Sequence, residues 1–494
     1  MSRIVDVVVA GYGCAGGFAA IEAHDAGAEV VLLEKMEHFG GLTMLCSGFM
    51  RVATDAVRAA RYLEGTSGGR IDRELLNQLA NGMVEAPDHL ARLAVAVDAR
   101  VRRTFGADQS PSEVSDLYDW PGGEVLGWSG IEDVPGFSGY DWVHFASHGQ
   151  QLMRVLEANI SAREIDVRFQ APVDRLVVED GTVVGVLVGG EELRARGGVV
   201  LTCGGFEFDR QLVQDFMEIP ALYPIGHPGN TGDGIRLAQQ AGASLWHMWH
   251  VHGSYGFKFP EFPMAFRNHL GGARRTDRPL AWILVDQRGR RFTNELPPAP
   301  QDTGSRPLQQ LNPEDGSFDR VPGWMLFDDV GRRMGPIGKP VAAVPEHYYE
   351  WSNDNTAEVE RGWILRDDSI EGLARQMGIA ASSVAETIAE WNVSVERGCD
   401  RAFGRPAGTL TPVSTPPFFA VQVWPVLSNT QGGPRHDACQ RVLNSFGQPI
   451  EGLYAAGELG SIFGHIYLLG GNLTEGLVGG RIAGAEAARR AGAR

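Results

Sequence analysis

The chain has 494 residues, enough for two large structural units or roughly three at about 150 residues each. Hydrophobic residues make up 43% and charged residues 21%, so a full core can be buried, and neither global disorder nor a disulfide-stapled miniprotein is called for. The formal net charge of −17 argues against binding nucleic acid or docking on anionic lipid, since both need a basic face. Five cysteines with no CxxC spacing read as reduced thiols, not as a disulfide framework or a zinc site. Glycine is in excess, with 64 copies against an average near 7% of residues. It has no collagen period and falls in short clusters between apolar runs, which suits tight turns and close approaches of backbone to ligand. No apolar run reaches the roughly 18 residues of a bilayer span. The first strand-like run begins at Ile4, so no cleaved leader is expected, and the expected compartment is the cytoplasm.

Residues 4–10 are a Val-rich run of the kind that forms a strand buried on both faces of a parallel sheet. Gly11, Gly13 and Gly16 follow in GxGxxG spacing, with Cys14 and Ala15 between them. The pattern then predicts a helix over 18–26 and a second strand over 29–33, ending at Glu34-Lys35. Strand, glycine loop, helix, strand and an acid about 20 residues on make a dinucleotide-binding unit. Gly11 makes the turn, Gly13 admits a pyrophosphate, and Gly16 lets helix and strand pack closely. The helix start offers N–H groups to phosphate, and Glu34 can accept from ribose hydroxyls.

Three later stretches specify which dinucleotide. Gly40-Gly41-Leu42-Thr43 with Ser47-Gly48 resembles the second glycine loop of flavoproteins. A hairpin strand at 182–186, approached through Val173, leads to 198–206 with Cys203-Gly204-Gly205, which resembles the strand and turn of two-dinucleotide-type FAD proteins. Residues 450–458, ending in Gly457-Glu458, resemble the strand whose acid contacts the ribityl region. The expected cofactor is FAD.

Further matches run nearly end to end: Gly229 to Gly234 with Asp233, the 285–295 stretch ending Arg291-Phe292-Thr293-Asn294-Glu295, the 370–400 region, Thr430 to Asp437, and Gly470-Gly471-Asn472-Leu473. The chain thereby resembles the fumarate reductase/succinate dehydrogenase flavoprotein superfamily, in its soluble branch with the 3-ketosteroid dehydrogenases. The resemblance implies an α/β fold, in which a Rossmann-like FAD-binding domain (parallel sheet with helices) is interrupted by a smaller α+β cap domain. The expected division is 1–246 and 417–494 for the FAD domain and 247–416 for the cap. Apolar positions Ile370, Leu373, Ala374, Met377, Val384, Ile388 and Trp391 predict a helical pair broken near Gly378. Residues 296–323, rich in Pro, Gly, Asp and Gln, predict an irregular surface loop. Covalent-flavin members carry a His directly before the Thr of the second loop. Here Leu42 stands there, so noncovalent FAD is expected.

Two chemistries of the family can be weighed. Fumarate reductases hold a dicarboxylate with arginines, and the matching places here hold no Arg after Glu295 and Leu468 before Gly470. Buried carboxylates need paired charge, which disfavours a dicarboxylate. Ketosteroid dehydrogenases polarise the ketone with a Tyr hydroxyl and the amide of a Gly four residues later, and Tyr467 with Gly471 has that spacing. The family's base Tyr falls at about Ala299, so the base stays open, with His252, Tyr255 and Tyr348 as candidates and Tyr118 and Tyr140 as weaker ones. The aromatic stretch 246–257 suits either a flat apolar ligand or a packed core. Its HxxHxH spacing lacks the acid or Cys partners of a metal site, and no metal is expected. His436 and His465 sit in flavin-proximal motifs. The expected activity is FAD-dependent desaturation of a C–C bond beside the carbonyl of a cyclic apolar ketone, such as a 3-ketosteroid. An external acceptor would recycle the cofactor, since no second nucleotide fingerprint is evident. Reduction of an unsaturated acid, or flavin binding without turnover, remain the alternatives.

Overall fold

The computed structural model describes residues 3–109, 117–144, 147–269, 276–340 and 347–493. Strand β1 (Arg3–Ala10) pairs in parallel with β2 (Val30–Leu33) on one side and with Glu191–Leu201 on the other. The sheet continues through Pro449–Ala455 beyond Glu191–Leu201 and through Asp166–Arg168 beyond β2. Helices cover both faces of such a sheet, which is why every residue of β2 is buried. Helix α1 (Cys14–Asp25) returns the chain between β1 and β2 and lies along the last helix, Gly471–Ala491. Small residues make that approach possible. A Cβ on Gly480 would stand 2.5 Å from the Ala15 carbonyl oxygen, and one on Gly484 2.3 Å from that of Ala19. The hairpin Val173–Glu179 and Thr182–Val188 hangs from Glu191–Leu201. No helix among the described residues is long and apolar enough to cross a membrane.

A second, seven-stranded sheet forms the cap. Its centre is Phe418–Leu427, which pairs with Gly323–Asp328, Tyr255–Phe257, Leu365–Asp367 and Tyr223–Pro224. That strand lies on the carboxyl-terminal side of the expected boundary at 416. This sheet therefore takes its central strand from beyond residue 416 and the short strand Tyr223–Pro224 from before residue 247. The expected helical pair is Ile370–Met377 and Ala381–Glu396, separated by Gly378 in the left-handed conformation (φ 73°). Leu373, Ala374, Met377, Val384, Ile388 and Trp391 all pack on the sheet through Ile283, Leu326 and Ala420. At about 1.5–3 kcal/mol for each large buried apolar side chain, this face holds the pair in place. The Arg291–Glu295 stretch is also structural. Arg291 bonds Glu295 (2.7 Å) and Asp400 (2.9 Å), and the buried Arg405 reaches Glu295 at 3.3 Å. Such a network is costly to break at any one member, because the remaining charges stay buried.

Residues 309–320 form the expected irregular, exposed to half-buried loop, while 296–308 correct that expectation. Leu296, Ala299, Asp302, Ser305 and Leu308 are buried, and a short helix, Pro300–Thr303, forms among them. Polar composition misled here because the buried acid is paired (below).

The chain passes between the two sheets as paired ribbons. Outgoing Leu245–Trp246 pairs with returning Gly433–Pro434, and Val251–His252 pairs with Asn429–Thr430. This antiparallel crossing sets His252 directly opposite Asn429 at the junction.

Candidate active site

A cavity of about 1050 Å³ lies at that junction, at the upper end of the usual range for ligand pockets. One wall is the glycine loop and its surroundings. Gly11, Gly13, Cys14, Ala15, Glu34, Lys35, Gly40, Gly41, Leu42, Thr43, Ser47, Val173, Cys203, Gly204, Asp233, Gly457, Glu458, Asn472 and Leu473 all line it. Four residues expected at the cofactor stand just behind this wall. Gly16 has the Gly11 carbonyl oxygen 1.9 Å from where its Cβ would be. Gly48 and Gly205 pack against His148–Gly149 and against Glu458 and Thr430 in the same way. Gly471 is the fourth, and its N–H donates to the Leu468 carbonyl at 2.7 Å.

This donor set fits FAD. The cap position of α1 is Gly13, which supplies no side-chain oxygen, so the positive helix start faces the cavity. The Cys14 N–H donates to Thr43 Oγ1 at 3.2 Å, which ties the second glycine loop to the first. Glu34 accepts from the Tyr12 and Met36 amides, both at 2.9 Å, one on each oxygen. A carboxylate oxygen has two lone pairs, so ribose hydroxyls can still be held. Lys35 bonds Thr231 and Asp233, which fixes Asp233 at the wall. Glu458 accepts from the Thr430 N–H at 3.0 Å. Burial holds the Glu458 and Glu207 carboxyls well above the usual range, and the neighbouring Glu458 pushes Glu207 further.

Two of the side chains considered for the chemistry also line the cavity. Tyr467 and His252 both line the cavity, with ring centroids 4.4 Å apart, and each is under a tenth exposed. The Asn472 N–H approaches the Tyr467 hydroxyl oxygen at 3.4 Å, so the phenol proton is directed elsewhere. Burial keeps Tyr467 protonated well beyond its ordinary pKa. Tyr255 is not brought here. It is buried in the cap core, and its hydroxyl accepts from Trp282 Nε1 at 2.9 Å. Tyr348 is an exposed side chain, Tyr118 stacks on Trp120, Tyr140 donates to Glu157, and Ala299 stands outside the lining. His436 faces the Gly460 carbonyl, and His465 also stands outside the lining.

Of the aromatic 246–257 stretch, only His252 lines the cavity. The apolar surface comes instead from Phe49, Trp128, Met264 and Leu469, which no local pattern marks. Phe49 and Trp128 belong to a separate three-stranded sheet, in Phe49–Ala53 and Leu126–Asp133. The three histidines diverge: His247 to the Ser461 carbonyl, His250 to Asp302 at 3.1 Å, His252 to Tyr467. Asp302 also accepts from Arg306 at 2.9 Å. Burial alone would raise the Asp302 carboxyl, but the His250 and Arg306 charges outweigh it and hold it below the usual value. Sequence reading missed this cluster, because Asp302 sits in a stretch of loop composition. It also missed that Arg267, His269 and Lys339 reach the cavity from the cap. The positions checked for cations in the sequence were others.

A protein that turns a glycine loop, a helix start and a buried acid toward one cavity is of the dinucleotide-binding flavoprotein class. The family model described as "FAD binding domain" matches residues 6–473, and the chain belongs to that family. It is an FAD-dependent oxidoreductase. The chain is 26% identical to a 3-oxosteroid 1-dehydrogenase of Mycobacterium tuberculosis, over 99% of both chains. It is also 26% identical to a probable fumarate reductase of Shewanella frigidimarina, over 99% of this chain and 76% of that one. Among solved structures, a 3-ketosteroid delta1-dehydrogenase from Sterolibacterium denitrificans superposes with a TM-score of 0.81 at 23% identity, covering 99% of this chain and 100% of the other. That likeness establishes the α/β flavoprotein fold.

Proposed function

We propose that the protein dehydrogenates a cyclic ketone, forming a C–C double bond α,β to the carbonyl. The observation that carries this reading is the Tyr467–His252 pair, which lines the same cavity as the cofactor loops. Tyr467, its hydroxyl oxygen approached by the Asn472 amide, donates its proton toward the ketone oxygen and stabilises the enolate. His252 accepts the proton from the carbon α to the carbonyl. FAD, when bound, supplies the acceptor for the hydride from the β carbon. Phe49, Trp128, Met264 and Leu469 exclude water around the ring of the substrate. The 3-oxosteroid dehydrogenase relative supports a ketone. The cofactor is held noncovalently, with Leu42 at the loop position, and acid precipitation should release it into the supernatant.

The test is anaerobic mixing of the holoprotein with a panel of 3-ketosteroids and substituted cyclohexanones. Bleaching of the flavin by a ketone supports the reading. A flavin that no ketone reduces, but that is reoxidised by fumarate-like acids once reduced chemically, assigns the reverse reaction on an acid. A yellow protein inert in both directions is a binder only.

A further inference from the structure

Arg267 and Lys339 come from segments more than 70 residues apart, yet they meet on one ladder. Asn268 bridges Gly338 in antiparallel fashion, and the Lys339 N–H donates to the Arg267 carbonyl at 2.8 Å. The His269 N–H donates to the Ile337 carbonyl at 2.7 Å. Antiparallel register therefore sets Arg267 opposite Lys339 and His269 opposite Ile337, with alternate residues on alternate faces. Asn268, between the two cations, turns inward, where its amide donates to Ser254 Oγ at 3.0 Å. Arg267, His269 and Lys339 share the other face, and all three line the cavity.

Like charges directly across a ladder repel, and an anion bound between them relieves that repulsion. Lys339 has no ion pair among the described residues. Burial and the adjacent Arg267 push its ammonium down to about 8. The carboxylates that line the cavity all stand on the cofactor wall: Glu34, Asp233 and Glu458. Glu34 is held by backbone amides, Asp233 by Lys35 and Glu458 by the Thr430 amide. The cap ladder thus brings Lys339, which has no ion pair among the described residues, to a cavity whose lining carboxylates are already held.

We propose that Arg267 and Lys339 form an anion subsite on the cap wall, and that the substrate is a keto acid whose carboxylate binds there. This rests on the ketone reading above and deepens it. The carbonyl sits at Tyr467 and the carboxylate at the cap ladder, so the acid fixes which carbon faces His252.

The experiment titrates the holoprotein with 4-oxocyclohexane-1-carboxylate and with its methyl ester, following the flavin spectrum. The acid binds about 30-fold more tightly than the ester, the scale of a charge-assisted bidentate contact. Lys339→Gln and Arg267→Gln each reduce acid affinity about tenfold and leave the ester alone, and Lys339→Arg restores the preference. Where a variant fails to hold flavin, the wild-type salt dependence decides: added salt weakens the acid and not the ester. Equal affinity for acid and ester, no detectable acid binding, or a preference that survives in the double variant overturns the proposal. So does a loss of FAD affinity with the acid preference intact, which assigns the cations to the cofactor. The two readings fail separately. An acid that binds through these cations but never bleaches the flavin keeps the subsite and removes the dehydrogenation. Ketones that bleach it with no preference for the acid do the opposite.

Discussion

The two walls of the cavity are built by different rules. The cofactor wall is mostly backbone: a glycine loop, an uncapped helix start and close contacts that admit no Cβ. The wall proposed to meet the substrate is side chains drawn from distant segments: Phe49, Trp128, His252, Arg267, Lys339 and Tyr467. A backbone site needs a short contiguous motif, because the turn itself is the binding surface. A side-chain site needs only that the fold bring single residues together, and those residues carry no local mark.

If this contrast holds, damage to the first wall removes the cofactor, while damage to the second leaves a yellow protein with altered chemistry. The largest effect is expected for Gly16→Val. Its Cβ would meet the Gly11 carbonyl at 1.9 Å, backbone that cannot swing away. FAD affinity should fall by at least about 100-fold, read as flavin absorbance per purified chain. Tyr467→Phe should keep full flavin content and lower kcat/KM on an active ketone by about 100-fold, near 2.7 kcal/mol. An unchanged kcat/KM removes Tyr467 from the chemistry. Asp302→Asn leaves the Arg306 charge without its carboxylate beside His250 and should cost about 3 kcal/mol in denaturant unfolding, with the flavin spectrum retained. A cost below about 0.5 kcal/mol would show that the cluster is not what anchors the 296–308 segment.

The smallest effect per step is spread over pH. Burial pushes the Glu475 carboxyl up to about 8, while it accepts from the Ile462 N–H at 2.7 Å. A native pKa above the unfolded one means that the folded chain holds the proton longer. The stabilisation is full below the unfolded value, near 4.5, and is lost as pH rises through about 8. The unfolding free energy of the apoprotein should therefore fall between pH 5 and 8, by at most about 1.4 kcal/mol per pH unit for each such carboxyl, read by denaturant titration at each pH. Glu475→Gln should flatten that slope, and a slope equally steep in the variant would refute the assignment to Glu475.

Much of the first wall was legible in advance. Glu34, Thr43, Cys203 and Glu458 stand where their motifs put them, lining one cavity. The helical pair around Gly378 was legible because a 3.6-residue apolar period needs no tertiary partner to be read. Tyr255 was misplaced because a Tyr in an aromatic run serves a core as well as a site, and here Trp282 takes its hydroxyl. The 296–308 part of the expected loop was read as surface because composition reports polarity, and a paired buried acid looks the same as a solvated one. Gly471 has the expected spacing from Tyr467, but the turn that builds the last helix uses its amide.

By itself the sequence determined that this chain belongs to the FAD-binding class and which glycine loops line the cavity, since glycine spacing and strand–helix periodicity are local properties of the backbone. Only the tertiary structure decided which distant side chains share that cavity. Arg267 meets Lys339, and His252 meets Tyr467, through register between strands and loops far apart in the chain. Such register is set by packing of the whole sheet, and no stretch of residues states it alone.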